Sequence, residues 1–96
     1  MPRNQKLTRV IGGRTVQRAT TESGKLVIRF DDRSTMTLKT SGIANLSLGT
    51  KVKAIREDGS EFTLQFEDGS IVTLQLADPG ASVAVRDKNN QVEYLG

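Results

Sequence analysis

An internal repeat constrains the fold of this chain more than any other feature. Shifting the sequence by 36 residues places residues 16–40 over residues 52–76 without a gap, and six positions are identical. The identical pairs are Val16/Val52, Phe30/Phe66, Asp32/Asp68, Ser34/Ser70, Thr37/Thr73 and Leu38/Leu74. Because the matches fall on alternate positions and on turns, we interpret the two segments as copies of one supersecondary unit.

Each copy has the period of half-buried β-strands. In Lys25–Phe30 the even positions are apolar, and the same alternation occurs over residues 34–40, 61–66 and 72–76. This period of 2 is typical of strands with one face in the core. A weaker copy at an offset of 30 residues indicates a hairpin over residues 83–95. We therefore predict two three-stranded meanders, repeat 1 (16–40) and repeat 2 (52–76), followed by the C-terminal hairpin.

Gly and Asp residues mark the turns of the meanders. Glu67-Asp68-Gly69 suits a three-residue hairpin loop with the glycine in the left-handed conformation. If residues 57–59 and 67–69 both form three-residue loops around the strand at residues 61–66, Val52 lies opposite Leu64. Arg33 stands in repeat 1 where Gly69 stands in repeat 2. An arginine at positive φ is strained, so we expect the repeat 1 loop to differ by a residue or to adopt a wider turn.

The repeat predicts a single all-β domain over residues 14–96. One meander exposes its apolar face to water, whereas two can cover each other. The architecture is then a small antiparallel barrel or a compact two-sheet sandwich, and the alternation pattern does not choose between them. Residues 1–13 are basic and end at Gly12-Gly13, which predicts a flexible arm.

The two halves of the chain carry opposite charge. Residues 1–53 hold eleven Lys/Arg and three acids, a net +8, whereas residues 54–96 hold three Lys/Arg and eight acids, a net −5. The outward positions of repeat 1 that supply the basic charge are Arg18, Lys25, Arg29 and Lys39. Two interpretations stay open at this point. Such a face suits a phosphate backbone, and cations at outward positions also solubilise a sheet and discourage edge pairing.

The opposite charges favour a second function, in which copies of the chain form a homo-oligomer. A basic half and an acidic half can pair between subunits, and exposed edge strands can pair as well. Nucleic-acid binding and self-association are compatible with each other. Both describe a non-enzymatic interaction module.

The composition argues against catalysis and against a cofactor. The chain has no Cys and no His, which removes thiolate and imidazole ligands and nucleophiles. Acidic pairs such as Asp31-Asp32 and Glu67-Asp68 fall at predicted hairpin tips, where carboxylates accept hydrogen bonds from turn amides. We expect no metal site, no small-molecule substrate, no membrane segment and no signal peptide, and hence a cytoplasmic protein.

The C-terminal hairpin resembles the closing motif of Sm/LSm-type RNA-binding proteins. In that family a hydrophobic strand ends in Arg-Gly, a short polar turn follows, and a Val-x-Tyr-Ile-like strand closes the barrel. Arg86 matches the arginine, Asn89 lies in the polar turn, and Asp87 stands where the family has Gly. The resemblance covers about 13 residues. It implies a small SH3-like barrel that forms rings through edge strands, with Arg86 and Asn89 near a ligand-facing loop.

Overall fold

The computed structural model describes residues 5–40, 48–78 and 80–96. Over these residues the chain forms one short helix followed by eight strands. The elements are α1 (Gln5–Ile11), β1 (Val16–Glu22), β2 (Lys25–Phe30), β3 (Thr35–Lys39), β4 (Val52–Asp58), β5 (Glu61–Phe66), β6 (Ile71–Gln75), β7 (Val83–Arg86) and β8 (Val92–Leu95).

The strands form two antiparallel sheets, which confirms the predicted all-β class. The larger sheet has the order β1-β2-β3-β7-β8, and the smaller sheet has the order β4-β5-β6. Isolated bridges between Thr15 and Lys51 and between Thr40 and Leu76 join the two sheets. The two meanders therefore lie in separate sheets that meet at two corners, and the C-terminal hairpin extends the sheet of repeat 1.

The repeat is visible in the backbone hydrogen bonds that link the two sheets. Val16 N–H donates to Thr50 O at 2.9 Å, and Val52 N–H donates to Arg14 O at 3.0 Å. Val52 is the repeat 2 equivalent of Val16, and Thr50 lies 36 residues after Arg14, so the two bonds join equivalent positions in opposite directions. The two meanders are thus related by an approximate two-fold axis that passes between the beginnings of β1 and β4.

Two glycines allow the chain to enter the meanders in the same way. Gly13 and Gly49 have φ angles of 84° and 83°, a region that side-chain-bearing residues rarely adopt. Gly13 N–H donates to Val52 O at 2.8 Å, and Gly49 N–H donates to Val16 O at 2.7 Å. The Gly13 turn is thus a fixed part of the corner between the sheets.

The core lies between the two sheets and contains the apolar positions of both copies. The alternation places these side chains on the inner faces, as the period of 2 predicts. The buried apolar cluster consists of Leu7, Ile11, Val16, Leu26, Ile28, Phe30, Met36, Leu38, Val52, Ile55, Phe62, Leu64, Phe66, Leu74, Leu76, Val83 and Val85.

The predicted pairing of Val52 with Leu64 is wrong. Ile55 pairs with Leu64, because β4 and β5 continue to the pair Asp58 and Glu61 and leave a turn of two residues rather than three. Val52 pairs with Phe66, since a β-bulge between Val52 and Ala54 shifts the pairing there by one residue. The same irregularity occurs in repeat 1 between Val16 and Arg18. The bulge inserts an extra residue and reverses which later positions of β1 and β4 face outward.

The predicted flexible arm is wrong for residues 5–11, which form α1. Leu7 and Ile11 are fully buried in the core. The Thr8 Oγ1 atom accepts a hydrogen bond from Ile55 N–H at 3.0 Å. Since β4 is an edge strand of the smaller sheet, α1 takes the place of a neighbouring strand at Ile55.

The shortness of α1 explains why the sequence did not reveal it. Leu7, Val10 and Ile11 follow the i, i+3, i+4 spacing of an apolar helix face, but seven residues do not repeat the pattern. A helix of this length gains most of its stability from tertiary packing rather than from its own propensity. No helix in the described ranges is long and apolar enough to cross a membrane.

We expect Leu7→Ala to lower the free energy of unfolding by about 2–5 kcal/mol, because it removes a fully buried side chain from the core. Arg9→Ala, on the exposed side of the same helix, is the control and should change this free energy by less than about 0.5 kcal/mol. Urea unfolding of both variants measures the difference. Equal free energies for the two variants would show that residues 5–11 do not pack on the core.

Candidate nucleic-acid interface

Three arginines lie in one row across the outer face of the larger sheet. Arg18 on β1 pairs with Arg29 on β2. Arg29 pairs with Thr35 on β3, and Thr35 pairs with Arg86 on β7. Neighbouring strands are about 4.8 Å apart, so the three Cα atoms span roughly 15 Å. We call Arg18, Arg29 and Arg86 the arginine row.

The two predicted lysines lie on the same face of this sheet, towards the other end of the strands. Lys25 and Lys39 are directly opposite each other on β2 and β3. Glu22 lies 3.3 Å from the Lys25 ammonium and reduces the repulsion between the two lysines. Five of the six residues predicted from the sequence therefore share one sheet surface.

The arginine row carries charge that carboxylates do not neutralise. Over residues 5–40, 48–78 and 80–96, no ion pair joins Arg18, Arg29 or Arg86 to an acidic side chain. Arg86 Nη1 donates to the backbone oxygen of Asn90 at 3.1 Å, which holds its guanidinium near the β7–β8 turn. Exposed, unpaired guanidiniums are the groups that phosphates bind in bidentate fashion.

Arg14 differs from the arginine row because its charge is fully engaged. Its two terminal nitrogens donate to both carboxylate oxygens of Glu93 at 2.9 Å, and its Nε lies 3.4 Å from Asp32. The hydrogen bond to Glu93 raises the pKa of the Arg14 guanidinium. Arg14 therefore ties the beginning of β1 to β8 and to the β2–β3 loop, and it serves the fold.

The β2–β3 loop presents Arg33 beside the arginine row. The expectation that this loop differs from its repeat 2 counterpart is wrong. Arg33 N–H donates to Phe30 O at 3.0 Å, as Gly69 N–H donates to Phe66 O at 3.1 Å. Arg33 has a φ of 72° and Gly69 a φ of 91°. The arginine adopts the conformation of the glycine, at a cost of about 1–2 kcal/mol for an L-residue.

Asp32 stabilises this loop from within. Its Oδ1 accepts hydrogen bonds from the Ser34 amide at 2.9 Å and from the Ser34 hydroxyl. Burial raises the pKa of the Asp32 carboxyl, but these hydrogen bonds and the charge of Arg14 outweigh it, so the pKa lies below its ordinary value. The ionised carboxylate thus holds the loop in which Arg33 has a positive φ.

An open concavity of about 390 Å³ lies at one end of the arginine row. Strands β2 and β7 contribute Arg29 and Arg86, and β3 contributes two threonines. The two adjoining loops contribute Arg33, Lys88 and Asn90. We call it the row-end pocket. Repeat alignment already marked Arg33 as unusual, because it replaces a glycine. Nothing in the sequence singled out Lys88.

Asn89 is the predicted site residue that lies elsewhere. Its backbone N–H donates to Asp87 Oδ1 at 2.8 Å, within the β7–β8 turn. The residue lines a neighbouring concavity together with Arg14 and Glu93. The turn therefore directs Asn89 towards a different surface from the one that carries the arginine row.

The row of repeat 2 that corresponds to the arginine row carries no charge. Ala54 and Gln65 take the positions of Arg18 and Arg29, and Ile71 continues this row on β6. The backbone pairing is the same in both copies, so the difference lies in the side chains alone. Repeat 2 therefore provides matched control positions for the basic face.

The aromatic side chains do not contribute to this face. Phe30, Phe62 and Phe66 are buried in the core. The half-buried Tyr94 has the Lys6 ammonium 5.8 Å from its ring centroid. Without aromatic platforms, the basic face offers groups for phosphates rather than for stacked bases.

Comparisons with known proteins assign no family to the chain. No family model, no curated protein and no solved structure matches it. The Sm/LSm resemblance of the C-terminal hairpin therefore stays a prediction. In the part of the chain that the structure describes, no cluster of three acidic side chains is arranged to hold a metal ion.

The low pKa of Asp32 predicts acid sensitivity. Its unfolded carboxyl, with a pKa near 3.8, binds a proton at higher pH than the folded one. This group therefore contributes stability above about pH 5, and the contribution is lost as the pH falls through the folded-state pKa. Asp32→Asn should make the free energy of unfolding fall less steeply below about pH 5 and should cost less than about 1 kcal/mol at neutral pH.

Urea unfolding across this pH range measures the effect. Asp31→Asn is the control, since no ion pair or hydrogen bond of the Asp31 side chain occurs among the described residues. Identical pH profiles for the wild type and Asp32→Asn would contradict the role of Asp32.

Proposed function

We propose that this protein binds nucleic acid, and RNA in particular, through the phosphates that contact the arginine row. The observation that carries the proposal is the alignment of Arg18, Arg29 and Arg86 across adjacent strands without carboxylate partners in the described ranges. The sheet fixes the backbone positions of these arginines, so little backbone ordering is required on binding. Lys25 and Lys39 extend the positive surface along the strands.

The chemistry of the face favours binding that depends weakly on sequence. Arginine forks suit phosphate oxygens, and contacts to phosphates position a nucleic acid without identifying its bases. The aromatic side chains lie in or against the core, so stacking does not add base recognition. The resemblance of residues 83–95 to Sm/LSm-type proteins favours RNA over DNA, and Arg86 belongs to both the row and the motif.

Charge reversal in the arginine row tests this function. Arg29→Glu should weaken binding of a short labelled RNA at least about tenfold at low salt and lower the slope of log K against log salt by about 1 or more. Fluorescence anisotropy at several salt concentrations measures both quantities. Lys53→Glu on β4 is the control, because it changes the net charge equally but lies on the other sheet.

Two outcomes contradict the proposal. The first is that the wild-type protein binds neither RNA nor DNA at low salt. The second is that Arg29→Glu and Lys53→Glu weaken binding equally, which would show a general charge effect rather than a site on the larger sheet.

Self-association is a second candidate function, favoured by the composition of β8. This strand forms one edge of the larger sheet. Val92 and Leu95 on β8 are 47% and 66% exposed, which is unusual for large apolar side chains on an edge strand. Pairing of β8 with the same strand of a second copy would extend the sheet and cover both side chains.

Light scattering at high protein concentration tests self-association. We expect the wild type to associate and Leu95→Lys to lower the association constant at least about tenfold, because a charge on an edge strand opposes pairing. Leu48→Lys is the control, since Leu48 is 61% exposed but lies outside β8. A wild-type protein that stays monomeric throughout would refute this function.

A further inference from the structure

The row-end pocket has an excess of positive charge that the arginine row alone does not explain. Arg29, Arg33, Arg86 and Lys88 line it, with Asp87 as the accompanying carboxylate. The described residues form no ion pair with any of the four cations. Four like charges around one concavity repel each other, and an anion bound between them would relieve that repulsion.

The Asp87 carboxylate is already occupied by its own turn. Its Oδ1 accepts hydrogen bonds from the amides of Asn89 at 2.8 Å and Gln91 at 2.9 Å. These bonds fix the β7–β8 turn. Asp87 therefore shapes the wall of the pocket, and its single negative charge against four cations leaves the lining with a net +3.

One residue of the same pocket, Arg33, has a strained backbone, since asparagine tolerates a positive φ and arginine does not. Among the residues that the structure describes, Arg33 and Asn90 are the non-glycine residues with positive φ, at 72° and 65°. Both line the row-end pocket. Strained backbone is found preferentially at functional sites, where the surrounding structure maintains it. A glycine at position 33 would remove the strain, as Gly69 shows in repeat 2, but it would also remove a cation from the pocket.

We infer that the row-end pocket binds a terminal phosphate monoester of the nucleic acid, with Arg33 as the residue that distinguishes it from an unphosphorylated end. The inference rests on the proposed function and adds to it a preference for one kind of strand end. The volume of the pocket, about 390 Å³, lies in the roughly 300–1,000 Å³ range of small-ligand sites.

The number of cations favours a monoester over an internal phosphodiester. A phosphodiester carries one negative charge, whereas a phosphate monoester carries about −1.5 to −2 at neutral pH and has three acceptor oxygens. Arg29 and Arg86 belong both to the arginine row and to the pocket. Arg33 and Lys88 on the adjoining loops add the charge that a dianionic end group requires.

The test compares short RNAs of one sequence that carry a 5′-phosphate, a 3′-phosphate or hydroxyls at both ends. We expect one phosphorylated form to bind the wild type at least about tenfold more tightly than the hydroxyl form, as for a charge-assisted contact. Arg33→Gly should abolish this preference and leave the affinity for the hydroxyl form within about threefold. Its Tm should equal or exceed that of the wild type, because glycine favours the loop conformation.

Asn90→Gly is the matched control. This substitution places a glycine at the other positive φ angle of the same pocket without removing a charge. It also keeps the backbone oxygen of residue 90, which accepts a hydrogen bond from Arg86. The preference for the phosphorylated end should persist in this variant. Equal affinities of the wild type for all three RNAs would overturn the inference, as would equal loss of the preference in Arg33→Gly and Asn90→Gly.

Mononucleotide binding separates failure of this inference from failure of the proposed function. Adenosine monophosphate should shift the NMR amide resonances of residues 31–34 and 87–91, whereas adenosine should not. If these shifts occur but no RNA binds, the phosphate pocket stands and the proposed function fails. If RNA binds through the arginine row but end phosphorylation has no effect, the proposed function stands and the pocket inference fails.

Discussion

The reciprocal hydrogen bonding between the two copies is the constraint on which the rest of the structure depends. Val16 N–H donates to Thr50, just before β4, and Val52 N–H donates to Arg14, just before β1. These bonds hold two meanders, each with one apolar face, so that the faces cover each other. A single meander would leave its inner side chains in water. The site then follows from the fold, because closing the core fixes which surface of repeat 1 faces outward.

The two repeats have the same backbone pairing, but the side chains on their outer surfaces differ. Inner positions are held alike by the shared core, as Phe30 and Phe66 show. Outer positions do not pack on the core, so Arg29 and Gln65 occupy equivalent places with different charge. The clearest divergence is Arg33, which keeps the left-handed backbone of Gly69 in spite of its side chain. The two loops share one backbone conformation, but only the repeat 1 loop carries a cation at this position.

Much of the candidate site could be predicted from the sequence, and its loops could not. The alternation placed Arg29 and Lys39 on an outward face because residues on a strand point to opposite sides in turn. Arg18 also faces outward, and the register that continues from Glu22 and Lys25 at the turn sets it opposite Arg29. The sequence does not predict Lys88 at the site, since a loop has no period that indicates where its side chains point. The Sm/LSm resemblance predicts Asn89 at the site, whereas its turn directs it to a neighbouring surface.

The sequence by itself determined the all-β class, the duplication and the identity of most core residues, because strand period and repeat spacing are local properties of the chain. Tertiary structure decided three things. It made residues 5–11 a helix, since burial of Leu7 and Ile11 stabilises a segment too short to be helical alone. It set the registers of β1 and β4 through their turns and through the bulges at their beginnings. It also attached the C-terminal hairpin to β3, which brought Arg86 into line with Arg29. A strand can pair with several others of similar pattern, and burial of the apolar side chains in one core determines which distant strands pair.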